Sequence, residues 1–330
     1  MSDPAPRATD GLVAAISAAV GHVKAFFERP AVKPYQKVAH FAFLSVIVAI
    51  LLTRLTHIGW GDVLKHLPDA PLFYVFLVAR FAALPCADMI VYGLIWRRPL
   101  FRHFPAFVRK RVYNYGVAGY AGEAFMTQWA SRTFSMQTRD ALIGVKDANM
   151  LSAFTANFTT VALIASLAIT GVLGLAVGAI PGGKAIFIAA FLVAATVATG
   201  VFAFRNKLLH VGDRLIARIL GVHFVRHIVV ISCTAGMYAA AIPTAPWTNW
   251  LLFVALQLVV SRVPFLPNQE LVYLTAALSL ATVIAAPDGA VAAMLLTEAA
   301  LTQALNVALF FATAHLARPG RALPRRAGNG

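Results

Sequence analysis

Apolar stretches long enough to cross a bilayer constrain the fold of this sequence more than any other feature. A helix needs about 20 predominantly apolar residues to cross about 30 Å of hydrocarbon. Eight stretches approach or exceed that length: 38–56, 71–96, 148–180, 184–204, 226–243, 248–263, 268–286 and 289–316. Because lipid cannot satisfy backbone hydrogen bonds, these stretches predict α-helices. The sequence therefore predicts an all-α, polytopic membrane helix bundle with about eight spans.

The composition excludes most soluble classes of protein. Hydrophobic residues make up 60% of the 330 residues and charged residues 12%, whereas soluble domains have about 45–50% and about 25%. The two cysteines, Cys86 and Cys233, lie inside apolar stretches, and the sequence has no HExxH, GxSxG or P-loop motif. We therefore expect no metal, no cofactor, no nucleic-acid partner and no enzymatic activity.

Basic residues predict the orientation of the spans. Cytoplasmic loops carry an excess of lysine and arginine, and eight spans place all four basic groups of this sequence on one side. Both termini are then cytoplasmic, with an amphipathic interfacial segment over 1–37, a membrane domain over 38–316 and a basic tail over 317–330. We expect a cell membrane location, specifically the bacterial inner membrane. The groups are Arg7, Lys24, Arg29, Lys33 and Lys37; Arg97, Arg98, Arg102, Arg109, Lys110 and Arg111; Arg205, Lys207, Arg214 and Arg218; and Arg318, Arg321, Arg325 and Arg326.

Two segments predict helix breaks at membrane depth. Residues 113–131 are long enough to cross, but another crossing would place every later basic group outside the cell. We therefore predict a re-entrant hairpin there, with Gly119 and Gly122 at the break. Pro264 and Pro267 predict a second break. Paired interruptions of this kind point to a binding site near the midplane of a transporter.

Ionisable residues inside a membrane cost about 2.5–3.5 kcal/mol each on insertion scales, so each is a candidate functional residue. Arg80 and Asp88 either neutralise each other around a helix break at Pro85 or line a polar cavity. Glu123 either faces a ligand or is a carboxylate satisfied at a helix N-terminus. The residues predicted to line a translocation cavity are Glu123, Arg80, Asp88, Arg132, Asp147, Arg262 and Glu270.

The other candidates also leave two interpretations open. Arg132 and Asp147 are either cavity residues or solvated loop charges. Arg262 either binds a phosphate through a bidentate contact or forms a structural clasp with Glu270. Glu298 is assigned instead to hydrogen bonding between helices, together with polar neighbours on its own span.

Three short motifs stand out: Gly119–Phe125 (GYAGEAF) with Arg132, Lys146–Asp147, and Pro264-x-x-Pro267 with Glu270. They resemble, in this order, three motifs of the lysylphosphatidylglycerol synthase transmembrane family. These are its Gly-Glu re-entrant motif, the charged residue and aspartate that open the next span, and its late Pro-x-x-Pro motif. The resemblance implies the flippase-like membrane half alone, since we expect no soluble aminoacyl-transfer domain after the bundle.

The sequence and the resemblance together predict lipid transport. The expected activity is translocation between leaflets of an amphipathic lipid with an anionic or glycosylated headgroup, through a polar intramembrane cavity. The basic group at 97–111 would gather anionic lipid at the cytoplasmic leaflet, and association with further copies of the chain stays open. Two alternatives also remain: a membrane-embedded enzyme that uses Glu123 or Asp88 as a general base on a lipid headgroup, and a non-catalytic scaffold for lipid synthesis.

Overall fold

The computed structural model describes residues 60–116, 120–180, 182–262, 269–281 and 287–317. Several predictions concern residues outside these ranges: the segment at 1–37, the span at 38–56, the tail after residue 317, and Gly119, Pro264 and Pro267.

Within the described ranges the chain forms α-helices and no strand, in agreement with the predicted all-α class. Two 3₁₀ turns cover Phe101–His103 and Ala314–Ala317. The α-helices are α1 (Trp60–Lys65), α2 (Pro71–Trp96), α3 (Phe104–Gly116), α4 (Ala121–Phe134), α5 (Thr138–Ile169), α6 (Leu173–Ala179), α7 (Gly183–Ala203), α8 (Arg205–Leu208), α9 (Asp213–Ala241), α10 (Trp247–Val260), α11 (Gln269–Leu280) and α12 (Asp288–Ala312).

In the described part of the chain, α2, α5, α7, α9 and α12 are long and apolar enough to cross a membrane, which agrees with a multi-pass membrane protein. α2 has the bounds predicted for the second span. α5 begins before its predicted span, at Thr138, and ends at Ile169. Gly171 follows with a φ of 75°, a conformation that glycine adopts easily and that ends the helix.

The sixth and seventh predicted spans correspond to short helices. α10 has 14 residues and α11 has 12, so at 1.5 Å per residue they measure about 21 and about 18 Å. Neither length alone crosses about 30 Å of hydrocarbon. α10 ends at Val260, ahead of the two prolines. A count of eight full spans therefore stays a prediction.

Pro85 does not interrupt α2, in contrast to the expected helix break. The helix is continuous from Pro71 to Trp96 with Pro85 in its interior. A proline removes one backbone donor, and neighbouring helices in a membrane bundle compensate for that loss. α2 packs against α9, α3 and α5, so it has such neighbours.

Two buried apolar clusters lie at the two ends of α2. One includes Phe73, near the start of α2, and Trp250 of α10. The other includes Trp96, at the end of α2, and the helices of the following hairpin. Arg80 and Asp88 occupy the stretch of α2 between the two clusters, so the apolar packing surrounds the polar site described below.

α3 and α4 form a helical hairpin where the sequence predicts the re-entrant segment. α3 ends at Gly116 and α4 begins at Ala121. A Cβ added at Gly122 would lie 2.2 Å from the backbone oxygen of Lys110, so only glycine permits this approach of the two helices. The Gly122 N–H also donates to Asn114 Oδ1 at 2.7 Å. The return of the hairpin to the cytoplasmic side stays a prediction.

Candidate functional site

An ion network joins α2 to the α3–α4 hairpin, and we call Asp88, Lys110, Asn114 and Glu123 the acidic network. Lys110 Nζ lies 2.6 Å from Asp88 Oδ2 and 3.5 Å from Glu123 Oε1. Asn114 Nδ2 donates to Glu123 Oε1 at 3.0 Å. Glu123 Oε2 is buried and accepts no hydrogen bond from the residues that the structure describes. One ammonium group therefore serves two carboxylates.

Lys110 stays charged in this buried position. Its side chain is 6% exposed, and burial alone would lower the pKa of Lys110. The Asp88 carboxylate opposes that effect, together with Glu123, and raises the pKa above its ordinary value. Lys110 Nζ also lies 5.2 Å from the centre of the Tyr92 ring. The ammonium group is therefore a permanent counter-ion inside the bundle.

The basic group at 97–111 has an exposed part and a buried part, and the sequence does not distinguish them. The exposed members are Arg97, Arg98 and Arg102; the buried ones are Arg109, Lys110 and Arg111. Arg109 donates to the Phe310 carbonyl oxygen at 3.1 Å and to Thr313 Oγ1 at 3.2 Å, which ties α3 to the end of α12. The prediction that the whole group faces anionic lipid is therefore wrong for its last three residues.

A second buried network connects α2, α9, α11 and α12. Arg80 forms a salt bridge with Glu298. The Tyr238 hydroxyl donates to Glu298 Oε2 at 2.8 Å and lies 2.9 Å from the Tyr273 hydroxyl. These contacts agree with the assignment of Glu298 to hydrogen bonding between helices, since Arg80 and Tyr238 lie on other helices.

Arg80 and Asp88 do not neutralise each other. They lie eight residues apart on a continuous helix, about 12 Å along its axis. Arg80 pairs with Glu298 and Asp88 with Lys110. Of the two interpretations drawn from the sequence, the internal pair is excluded, and each residue belongs to a different network.

A third group, which we call the basic cluster, consists of Arg226, His223 and His227 on α9 and Arg262 just after α10. Arg226 Nη1 donates to Ser152 Oγ of α5 at 3.2 Å, and Arg226 Nη2 lies 2.8 Å from His227 Nε2. Arg262 Nε donates to Thr160 Oγ1 of α5 at 3.3 Å. The cluster therefore lies against α5, between α9 and the end of α10.

Among the residues that the structure describes, no salt bridge neutralises the positive charge of Arg226. Arg226 is 8% exposed, and its hydrogen bonds within the described residues go to neutral partners, Ser152 and His227. Asp88 interacts electrostatically with Arg226, but it is already bound to Lys110. A buried charge without an opposite charge is costly, and guanidinium groups bind phosphate and carboxylate groups in two-point contacts. The cluster therefore fits an anionic ligand group.

An apolar groove of about 710 Å³ runs between α2 and α9, and Arg226 is part of its lining. Phe76, near the start of α2, lies against Gly236, near the end of α9, so the two helices run antiparallel. Side chains on the α2 wall are mostly small and apolar. The lining consists of Ala79, Ala82, Ala83, Cys86, Ala87, Ile90 and Leu94 of α2 and Arg218, Gly221, Val222, Val225, Arg226 and Val229 of α9.

The remaining predicted site residues lie elsewhere. Asp147 is completely buried and accepts a hydrogen bond from the His210 N–H at 2.8 Å, so it anchors the loop before α9 to α5. Lys146 Nζ lies 3.1 Å from Asp147 Oδ1. Arg132 is exposed in the last turn of α4. Glu270 lies in the first turn of α11, and its side chain is outside what the structure describes.

The structure thus brings together Asp88 and Glu123 through Lys110, and it adds Arg226 with its two histidines to the candidate site. The sequence interpretation missed Lys110 and Arg226 because both stand next to other basic residues or at the edge of a predicted span. The apolar run of α9 begins well before residue 226, and that run is the signal that could have placed Arg226 inside the membrane.

No group of three or more histidine, cysteine, aspartate or glutamate side chains in the described ranges is placed to hold a metal ion. No protein-family model matches this chain, and neither curated proteins nor solved structures include a similar one. The function is therefore inferred from the chemistry of the site.

Proposed function

We propose that this chain moves an anionic amphipathic lipid between the leaflets of a bacterial inner membrane. The observation that carries the proposal is the apolar groove between α2 and α9 with the buried guanidinium group of Arg226 in its lining. The alanine-rich wall fits an acyl chain, and the guanidinium group fits a headgroup phosphate. A neutral sugar headgroup would add no negative charge to balance Arg226, which has no salt bridge within the described part of the chain, so the anionic class is favoured.

The depth of Arg226 supports transport over binding at the membrane surface. α9 runs from Asp213 to Ala241, which places Arg226 about 20 Å from the start of the helix at 1.5 Å per residue. A lipid phosphate is stable at the interface and unfavourable at the midplane. A guanidinium group in the middle of a span lowers the cost of moving that phosphate across, as polar sites near the midplane do in transporters.

The acidic network has a supporting role in this proposal. Asp88 and Lys110 fix the hairpin to α2, whose other face forms the groove wall. Glu123 is held by Lys110 and Asn114 in the same network. Membership in the lysylphosphatidylglycerol synthase transmembrane family, in its flippase-like half, belongs to the same proposal and rests on the sequence motifs.

The Arg226→Gln variant should slow lipid translocation about tenfold, since it removes a charge-assisted contact with the headgroup phosphate. The full chain would be placed in vesicles that contain tail-labelled fluorescent phosphatidylglycerol, and albumin extraction would follow its exchange between leaflets. Arg214→Gln is the matched control, because Arg214 is exposed on the same helix and outside the groove lining. Its rate should equal that of the wild type. Rates for the wild type no higher than in protein-free vesicles would overturn the transport proposal in favour of the enzyme or the scaffold.

A second arm of this assay tests the groove as the route. Cys86 is exposed and lines the groove, while Cys233 is buried. A bulky maleimide should therefore attach at Cys86 and reduce translocation severalfold, because it fills space that the acyl chain needs. The Cys86→Ser variant should keep its full rate under the same treatment. Equal inhibition of both proteins would show that the lipid follows another path.

A further inference from the structure

We propose that Arg262 is a second binding station for the headgroup phosphate, to which the lipid passes from Arg226 along α5. This inference rests on the function proposed above. It adds the path of the headgroup across the middle of the bundle, which the groove between α2 and α9 does not define.

The two arginines contact the same helix at different depths. Arg226 donates to Ser152 and Arg262 donates to Thr160. These hydroxyl groups are eight residues apart on α5, about 12 Å along the axis, and residues spaced by four and eight share one side of a helix. Ala156 lies midway between them and has a small side chain. α5 therefore presents two hydroxyl groups on one side, each of which holds an arginine from another part of the bundle.

The chemistry at each position fits a phosphate group. A guanidinium group has five N–H donors in a planar fork. The hydrogen bonds of Arg226 and Arg262 to Ser152 and Thr160 hold one side of each fork against α5. The Thr160 hydroxyl donates to the Ala156 carbonyl oxygen at 2.8 Å, so its oxygen is left to accept from Arg262. Each arginine is thus oriented by a neutral partner, and within the described ranges neither forms a salt bridge that would neutralise its charge.

The two positive charges are close enough to interact. Their mutual repulsion falls when a phosphate approaches either of them, so an anion is attracted from both sides. Each station can bind the anion by itself, and the other offers a nearby position to which it can move. Transport requires binding that is favourable enough for entry and divided among sites so that the ligand can leave. Two like-charged stations separated along one helix meet that requirement.

The test separates lipid binding from lipid movement. Binding of phosphatidylglycerol to the full chain in detergent is measured by native mass spectrometry, and translocation is measured in vesicles as above. Arg262→Gln should reduce the translocation rate about tenfold while binding changes less than about twofold, since Arg226 still holds the phosphate. Arg226→Gln should weaken binding as well. Arg262→Lys should restore part of the rate because it restores the charge.

Three results would overturn the second station. The first is a translocation rate for Arg262→Gln that equals the rate of the wild type. Loss of binding together with translocation in Arg262→Gln is another, since it would make Arg262 part of the first site or of the fold. An equal loss of rate in Glu270→Gln and Arg262→Gln is the third, since it would indicate a structural clasp. Absence of translocation by the wild type would instead overturn the proposed function itself.

A milder substitution keeps the inference testable if Arg262→Gln does not fold. Thr160→Val removes the hydroxyl group that orients Arg262 and preserves the shape and the charge at this position. It should slow translocation severalfold and leave binding unchanged. Ser152→Ala removes the hydroxyl partner of Arg226 and is the comparison for binding. If Ser152→Ala lowers binding but Thr160→Val translocates lipid at the wild-type rate, the station at Arg262 is contradicted.

Discussion

Replacement of Gly122 by alanine should force α3 and α4 apart and lower the free energy of unfolding by about 3 kcal/mol, at the upper end of the cost of overpacking. The new Cβ would lie 2.2 Å from the Lys110 backbone oxygen and 2.7 Å from Asn114 Oδ1. A backbone oxygen cannot rotate away as a side chain can, so one helix of the hairpin has to move. The shift would also disturb Lys110 and Asn114, which both contact Glu123. Unfolding by sodium dodecyl sulfate in mixed micelles measures the change.

Gly200→Ala supplies the control for this prediction. Gly200 lies inside α7, and a Cβ there would meet no atom within 4 Å. Alanine is favoured over glycine in a helix interior by about 1 kcal/mol, so this variant should be as stable as the wild type or more stable. A Gly122→Ala protein as stable as Gly200→Ala would contradict the close approach of the two hairpin helices.

The apolar spans were predictable because the signal is local. A run such as 71–96 is apolar apart from Arg80 and Asp88 and is flanked by prolines and arginines, so its composition alone sets the bounds of α2. The spacing of glycines in 113–131 likewise indicated a place where backbones approach, and Gly122 occupies such a place. Both features depend on neighbouring residues in the chain, and tertiary packing did not change them.

The charge pairs were not predictable because they depend on packing between distant segments. Arg80 and Glu298 are far apart in the sequence and meet only when α2 packs against α12. Lys110 stands in one basic group with Arg97, yet one is buried and the other exposed. Nothing in the local sequence separates these two cations. The positive-inside rule treats them alike, whereas the fold uses Lys110 as an internal counter-ion.

The short helices α10 and α11 show a limit of predicting membrane spans from hydropathy alone. Hydropathy alone predicts spans over 248–263 and 268–286, whereas the helices described within these stretches, α10 and α11, have 14 and 12 residues. Their sequences are apolar because they are buried in protein, and α10 contains Trp250 and Phe253 with no exposed surface. Burial against other helices and burial in lipid select the same residue types, so composition does not distinguish them.

Replacement of Lys110 by methionine should have the other large effect, a loss of about 3–5 kcal/mol of stability, as is typical when one partner of a buried ion pair is removed. Methionine matches the length of the lysine stem but leaves Asp88 and Glu123 without their shared cation. Asp88 would then be a buried carboxylate that has lost its salt bridge with the Lys110 ammonium group. The same unfolding titration in mixed micelles measures this loss, and Lys184→Met at the exposed start of α7 should stay within about 0.5 kcal/mol of the wild type.

A second substitution tells whether charge causes the effect. The double variant with Lys110→Met and Asp88→Asn no longer buries an unpaired carboxylate at position 88, so it should recover more than half of the lost stability. A loss caused only by poorer packing of methionine would persist in the double variant. Recovery would show that Lys110 is retained in the bundle as the counter-ion of Asp88, and that the basic group at 97–111 combines a surface role with a buried one.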